Sequence, residues 1–472
     1  MGLIQIAASI LTSILVATLT RGITRTYSLL ALSVLAIYWF QPVVPLRSFD
    51  FWFPSLSLAL VILTWLITSG QGAWKSKQNA IGLLIIVGVV TLVELSRYIL
   101  PESILTATTP PNIIQYIIFL ATIILITLLF AFLSHRFAWT LSLLSILLIV
   151  ILVILKSPAL SLQTSIFFRT LANRPTESAS ALDLRWLGFS YIAFRLIHVL
   201  RDKQTARLPE LSLPEFATYV VFFPTLAAGP IDRAERFAKD LRQKEFSLTQ
   251  DEVLIAGQRI VFGLFKKFVV ADALALIALN DALATQVHYT GWMWIHLYAY
   301  TFQIYFDFSG YTDIAIGIGR LVGIKLPENF LSPYTKPNLT QFWNNWHMTL
   351  TQWFRSYFFN PFNRWIRGYK SVPAWAMILI GQLSTMLLIG LWHGITWNFI
   401  LWGAWHGLGL FIQNRWSDFA KTRINTTNPR LQTALQLSGM LLTFHFVALG
   451  WVFFALSETS LSGMVFRKLF GL

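Results

Sequence analysis

The chain has 472 residues and no cysteine. That excludes disulfides, thiolate nucleophiles and Cys-based metal sites together. Any covalent chemistry is left to Ser, Thr, Tyr or His, and no nucleophile-elbow motif is found for a Ser. Charge is also scarce. Asp, Glu, Lys and Arg make up 12% of the sequence, about half the share usual in soluble globular chains. Acidic residues are the scarcer kind, 21 against 36 Lys and Arg, for a formal net charge of +15. The chain has no internal repeat, low-complexity tract or soluble domain, and no basic, aromatic-interleaved module that would make nucleic acid a partner.

What is there is apolar. Hydrophobic residues are 56% of the chain and the mean hydropathy is +0.62. Runs approaching the ~20 residues that cross ~30 Å of hydrocarbon recur along it. Lipid-exposed backbone must satisfy its own hydrogen bonds, so such runs become helices. The first six are residues 2–20, 27–46, 51–69, 80–95, 113–133 and 139–155. The first lacks the charged leader and small-residue cleavage site of a secretory signal and reads as a span. Arg21, Arg25, Lys75, Lys77, His135 and Arg136 fall in loops on one side, while Arg47, Arg97 and Lys156 fall singly on the other. The positive-inside rule then puts the amino terminus outside and the more basic loops in the cytoplasm.

Residues 157–182 are more polar and read as outer or interfacial. A seventh apolar segment, 184–200, returns to Arg201, Lys203 and Arg207. Residues 216–228 are too short to span and stop at Gly229-Pro230, which predicts a broken or re-entrant helix. The charged residues 232–245 read as cytoplasmic. Further runs are 253–277, interrupted by Lys266-Lys267, and 289–306. Pro327, Pro333 and Pro337 mark an irregular link. Residues 339–362 form an aromatic-rich amphipathic stretch at the interface. The last runs are 374–389, 397–413 and 435–454. The expected fold is all-α: a polytopic transmembrane helical protein of the cell membrane, with roughly 11–14 membrane segments counting the broken helices. Residues 1–156 form its amino-terminal spans and 157–472 its core, within one membrane domain.

Ionisable groups at membrane depth are costly, so they are the first candidates for function. They concentrate after residue 300: His347, His393 and His406, with Asp307 and Asp313 bracketing Phe308-Ser309-Gly310-Tyr311. On one continuous helix His393 and His406 would differ by about 220° and ~20 Å of rise, unlike an i, i+4 zinc pair. A neutral imidazole can take a proton from a hydroxyl that attacks an ester or thioester. From the residues alone, a structural histidine hydrogen-bonded between helices is the favoured reading, and so is a pair of structural carboxylates at 307 and 313, with donor-site polarity as the alternative. His445 reads as a core histidine. A proton-coupled transporter would also use buried Asp and His, although no inverted repeat supports it.

Four segments occur in order: Phe223-Pro-Thr-Leu-Ala-Ala-Gly-Pro230-Ile-Asp-Arg233; Tyr305-Phe-Asp-Phe-Ser-Gly-Tyr-Thr-Asp313-Ile-Ala-Ile-Gly317; Phe342-Trp-Asn-Asn-Trp-His347-Met-Thr-Leu-Thr-Gln-Trp-Phe-Arg355; and Leu391-Trp-His393-Gly-Ile-Thr-Trp-Asn-Phe-Ile-Leu-Trp-Gly403-Ala-Trp-His406-Gly. Together with Gly450-Trp-Val-Phe-Phe454 they resemble membrane-bound O-acyltransferases. They are most similar to the bacterial branch with the membrane subunits of alginate O-acetylation and teichoic-acid D-alanylation. The resemblance runs from about Leu184 to the carboxyl end; residues 1–156 carry none of its motifs.

The resemblance implies an acyltransferase with a central tunnel, reached by the donor from the cytoplasm and by the acceptor from the other side. It makes His393 the general base and His347 a second catalytic position, suited to polar positioning or oxyanion stabilisation. The implied substrate contacts are Asn344 and Trp346 beside His347, Trp392 and Trp397 beside His393, and Asp307, Arg233 and Arg355. Arg320 is an interface anchor or a contact to a phosphopantetheine arm. No bound cofactor or metal is implied. The partners are the lipid bilayer, an acyl thioester donor (acetyl-CoA or the phosphopantetheine of an acyl carrier protein), and a glycan acceptor or an extracytoplasmic acyl-accepting protein. The branch commonly has Arg where Asn345 stands and Asp where Ser356 stands, which predicts altered carrier contacts or acceptor choice.

Overall fold

A computed structural model describes residues 2–70, 72–100, 104–137, 139–244, 246–369, 371–423 and 428–472. Glu245, the end of the charged 232–245 segment, and the side chains of His135 and Arg136 lie outside the described residues. Every regular element among the described residues is a helix. Among the described residues, six helices are long and apolar enough to cross a membrane: Phe49–Thr68, Lys77–Ile99, Ile113–Leu133, Trp139–Lys156, Ala374–His393 and Pro429–Ala455. The chain is a multi-pass membrane protein. Other expected spans, such as Leu3–Leu19 and Phe189–Gln204, are shorter helices, and the second of these is buried along most of its length by protein.

The chain forms two compact units. The first comprises Met1–Ile260 and Ile314–Pro327. The broken helix expected over 216–229 is present, but it breaks earlier than Gly229-Pro230: the helix Leu213–Val221 ends and a single 3-10 turn, Phe223–Thr225, follows. Pro224 has no N–H to donate. Freed carbonyls inside a membrane protein need donors, and the fully buried Arg195 supplies them. Its guanidinium donates to Val220 O at 2.7 Å and to Thr225 O and Oγ1 at 3.2 and 2.7 Å. Residues 232–245 are not an open loop: they hold the helix Ala234–Leu241. Its last carbonyls would be orphans, and the buried Arg25 donates to two of them, Asp240 O and Leu241 O, at 3.0 Å each. Buried polar pairs recur: Asp183 accepts from Arg169 Nε at 2.7 Å and Ser165 Oγ at 2.6 Å.

The second unit comprises Val261–Asp313 and Glu328–Leu472. Its central feature is a helical hairpin, Ala374–His393 and Trp397–Arg423. Gly403 and Gly407 lie one turn apart on the second arm. A Cβ at Gly403 would fall 2.7 Å from Met386 O, and one at Gly407 2.9 Å from the Cα of Leu383. Small residues at this spacing let helix backbones meet closely, where van der Waals contact replaces a hydrophobic drive that lipid cannot supply. The turn of the hairpin is pinned by buried Asn398, whose Nδ2 donates to Leu456 O at 2.7 Å. Val452, Leu456, Val465, Leu469, Met293 and Leu297 build an apolar core beside it.

The Lys266-Lys267 interruption is a π-helical segment, Phe265–Ala271, continuing the helix Gln250–Leu264. Lys266 Nζ meets Asp313 Oδ2 at 2.6 Å and Lys267 pairs with Asp307. These pairs let the helix Thr290–Leu321 continue through both carboxylates, well past residue 306.

Candidate active site

The expected amphipathic helix at 339–362 is instead a chain of short pieces: Leu339–Asn345, Met348–Phe354, the π-helical Arg355–Phe359 and Asn360–Ile366. His347 sits at the first joint. Its φ is +41°, a left-handed conformation that costs a non-glycine residue ~1–3 kcal/mol and persists only where surroundings impose it. Those surroundings are the irregular link 328–338. Met348 N donates to Asn329 O at 2.9 Å and Leu331 N to Asn345 O at 3.1 Å, so two backbone hydrogen bonds tie the joint to the link.

Asn329 is fully buried. Its Oδ1 accepts from Thr349 N at 3.2 Å and from Thr349 Oγ1 at 2.9 Å. The backbone donor fixes which end of the amide faces it. The third group on that oxygen is His347 Nδ1, at 3.1 Å, and it must therefore donate. A neutral His347 ring then carries its proton on Nδ1 and a lone pair on Nε2. Nε2 is buried and has no hydrogen-bond partner among the described residues. The ring lies edge-on to Phe308, centroids 4.7 Å apart, and 6.3 Å from Trp392.

His393 ends the first arm of the hairpin and is half-buried. Its ring is boxed by Trp392 at 4.6 Å, Phe454 at 4.8 Å, Trp402 at 5.6 Å and Phe399 at 5.9 Å. Trp392 is thus a wall common to His347 and His393. Trp397, expected beside His393, is 72% exposed; two positions on, about 200° around the helix, Phe399 takes that place. His406 is fully buried further down the returning arm, against Trp343 and Trp402 at 5.1 and 4.9 Å. His445 is half-buried, with Nε2 2.9 Å from Tyr298 Oη.

The remaining expected contacts are dispersed. Trp346 is buried among Phe330, Phe342, Tyr334 and Trp451 rings at 5.1–5.6 Å. Asn344 Oδ1 accepts from Arg355 Nη2 at 2.5 Å. That pair lines a cavity of about 200 Å3 with Trp343, Gln382 and Met386. Buried Trp343 Nε1 and Gln382 Oε1 have no hydrogen-bond partner among the described residues. Asp307 is half-exposed and paired to Lys267. Arg233 belongs to the first unit and is exposed; its backbone N–H donates to Asp232 Oδ1 at 2.7 Å, and Arg236 pairs with the same carboxylate. Arg320 pairs with Glu252 at 2.9 Å. Sequence reasoning missed Asn329, Phe399 and Asn398. Only the Pro327–Pro333 spacing, which marks an irregular link, pointed near Asn329.

Residues 159–457 match the family model of the membrane-bound O-acyltransferases. The chain is 35% identical over 285 residues to a probable alginate O-acetylase of Pseudomonas syringae pv. tomato, covering 60% of this chain and 51% of that protein. It is 32% identical over 276 residues to the teichoic acid D-alanyltransferase of Bacillus subtilis, covering 58% and 69%. It is 36% identical over 261 residues to the peptidoglycan O-acetyltransferase of Helicobacter pylori, covering 55% and 47%. The chain thus spans about half the length of most of these relatives. With the family match extending over well more than half of its residues, the chain belongs to the membrane-bound O-acyltransferase family.

Proposed function

We propose that the protein is an O-acyltransferase. It moves an acyl group, acetyl in the first instance, from a cytoplasmic thioester to a hydroxyl of a cell-surface polysaccharide or of an intermediate acyl-accepting protein. The alginate and peptidoglycan O-acetylating relatives and the teichoic acid D-alanyltransferase support this class of acceptor. The donor is acetyl-CoA or an acyl carrier protein's phosphopantetheine thioester.

The observation that carries the reading is the pair of histidines on the shared Trp392 wall. His393 takes the proton of the acceptor hydroxyl. The oxygen attacks the thioester carbonyl, the C–S bond breaks, and the proton passes to the departing thiolate. Of the two parts the resemblance implies for His347, polar positioning is the one proposed. Donating from Nδ1 to Asn329, its neutral ring has no Nε2 proton for an oxyanion. Nε2 instead accepts a hydrogen bond, from an N–H of the donor arm or from a second, non-attacking hydroxyl of the acceptor. The Asn344–Arg355 cavity receives the polar arm of the donor, with Trp343 Nε1 and Gln382 Oε1 as its amide partners. Residues 1–156 serve as the membrane scaffold of the core that follows.

Proton-coupled transport through Asp307 and Asp313 is the weaker reading, because a lysine holds each carboxylate. The test is mass spectrometry of surface polysaccharide from cells with the wild-type protein, without it, and with His393→Ala. Acylation lost in the last two, at normal membrane abundance of the variant, supports the reading. Acylation retained in His393→Ala would sink it.

A further inference from the structure

The first unit holds a cavity of about 510 Å3 that belongs to none of the machinery above. Its wall is built from helix ends. Arg47 precedes the helix Phe49–Thr68, Arg97 is in the last turn of Lys77–Ile99, Asn112 caps Ile113–Arg136, and Arg174 follows Pro158–Leu171. Three of these ends belong to helices long and apolar enough to cross a membrane, and the ends of such helices lie at headgroup level. A fourth arginine of the wall, Arg169, already spends its charge on Asp183 at 2.7 Å. No carboxylate lines the cavity among the described residues, and nearby Asp50 is turned to Thr108 N and Oγ1 at 2.6 and 2.5 Å. Among the described residues the Arg97 side chain makes a single hydrogen bond, to Pro110 O at 2.9 Å.

A second observation says what the charge is for. The helix Ile113–Leu133 starts at the rim of the cavity, and only 6% of its apolar window is buried. Ile114, Ile118 and Leu125 are 66%, 61% and 69% exposed and form one stripe at i, i+4, i+11. A cationic cavity at headgroup level with an apolar stripe descending from it matches an amphiphile with an anionic head and acyl tails.

We infer that this cavity binds an anionic phospholipid. Arg47, Arg97 and Arg174 receive the phosphate, and the acyl chains lie along Ile114, Ile118 and Leu125. The purified full chain in neutral detergent is offered phosphatidylglycerol and phosphatidylcholine at equal mole fraction, and bound lipid is counted by native mass spectrometry. The wild type is expected to retain at least about fivefold more phosphatidylglycerol, as clustered cations favour anionic heads. Arg47→Gln/Arg174→Gln abolishes the preference, while Arg201→Gln/Arg207→Gln keeps it. Equal retention of the two lipids by the wild type, which needs no variant, overturns the inference. So does a preference that survives Arg47→Gln/Arg174→Gln in a monodisperse preparation. Inorganic phosphate or an oligouronate that binds in an arginine-dependent manner, with no lipid preference, would reassign the cavity to a soluble anion.

Discussion

Replacing Asn329 by alanine tests how the site is held. Three donors converge on its side-chain oxygen: His347 Nδ1, Thr349 N and Thr349 Oγ1. The threonine hydroxyl can rotate to another acceptor, but the ring N–H and the backbone N–H cannot. Each buried donor left unsatisfied costs about 1–3 kcal/mol, so Asn329→Ala is expected to destabilise the chain by roughly 2–5 kcal/mol. The left-handed His347 backbone also loses a restraint. The freed ring no longer has a fixed tautomer or aim. A loss of about 1.4 kcal/mol of positioning is tenfold in rate, so kcat falls at least about tenfold with a smaller change in KM. Asn329→Asp keeps an acceptor for all three donors and is expected to recover part of the activity. The assay is acyl transfer by purified protein, with thermal unfolding in detergent followed by monodispersity. If Asn329 acts through His347, adding Asn329→Ala to His347→Ala leaves kcat nearly unchanged. Wild-type turnover in Asn329→Ala, or an equal loss in the His347→Ala background, refutes the reasoning.

Gly403→Val would place side-chain atoms against Met386 O; overpacking of about 1–3 kcal/mol should lower the melting temperature and reduce His393-dependent activity together. Arg169→Ala leaves the Asp183 carboxylate buried without its cation and should cost about 3–5 kcal/mol, read as a large drop in thermal stability. Burial raises the Asp183 pKa, but the hydrogen bonds from Arg169 and Ser165 outweigh it and hold the carboxyl below its usual value. That stability is complete above the unfolded-state pKa of about 4 and is lost as pH falls through the lower folded-state value. The wild-type melting temperature should therefore carry an Asp183-dependent fall only below about pH 4, a component missing from Asp183→Asn. Lys266→Met, which strands buried Asp313, should destabilise more than Lys267→Met, whose partner Asp307 is 49% exposed, because exposed pairs contribute little.

Much of the fold was legible in hydropathy. The helices Ile113–Arg136 and Ala374–His393 begin at the residues where their apolar runs begin, and a break was legible in 216–229, although it falls at 222–225 rather than at Gly229-Pro230. What hydropathy hid was neutralised by distant partners. Asp307 and Asp313 looked like the end of a span, yet the helix Thr290–Leu321 runs through them because Lys267 and Lys266 lie 40 and 47 positions away. Residues 339–362 carried an amphipathic pattern that averages over the joint at His347, since nothing local signals a left-handed histidine. The family motifs picked out His393 and His347 but not their geometry. Trp397 and Phe399 are equally aromatic in sequence, and only the start of the second arm decides which faces His393. Asn329 carries no periodic or charge signal; its role arises from the backbone bonds that hold residues 329–331 against 345–348.

The most direct test of the account is transfer by the purified chain in proteoliposomes. An isotopically labelled acyl thioester is supplied on one side and a hydroxyl-bearing oligosaccharide on the other, and thiol release is followed with labelled ester formation. The account predicts that the wild type forms one ester per thiol released, and that His393→Ala, with unchanged melting temperature, forms none above background. Ester formation by His393→Ala at the wild-type rate would contradict it.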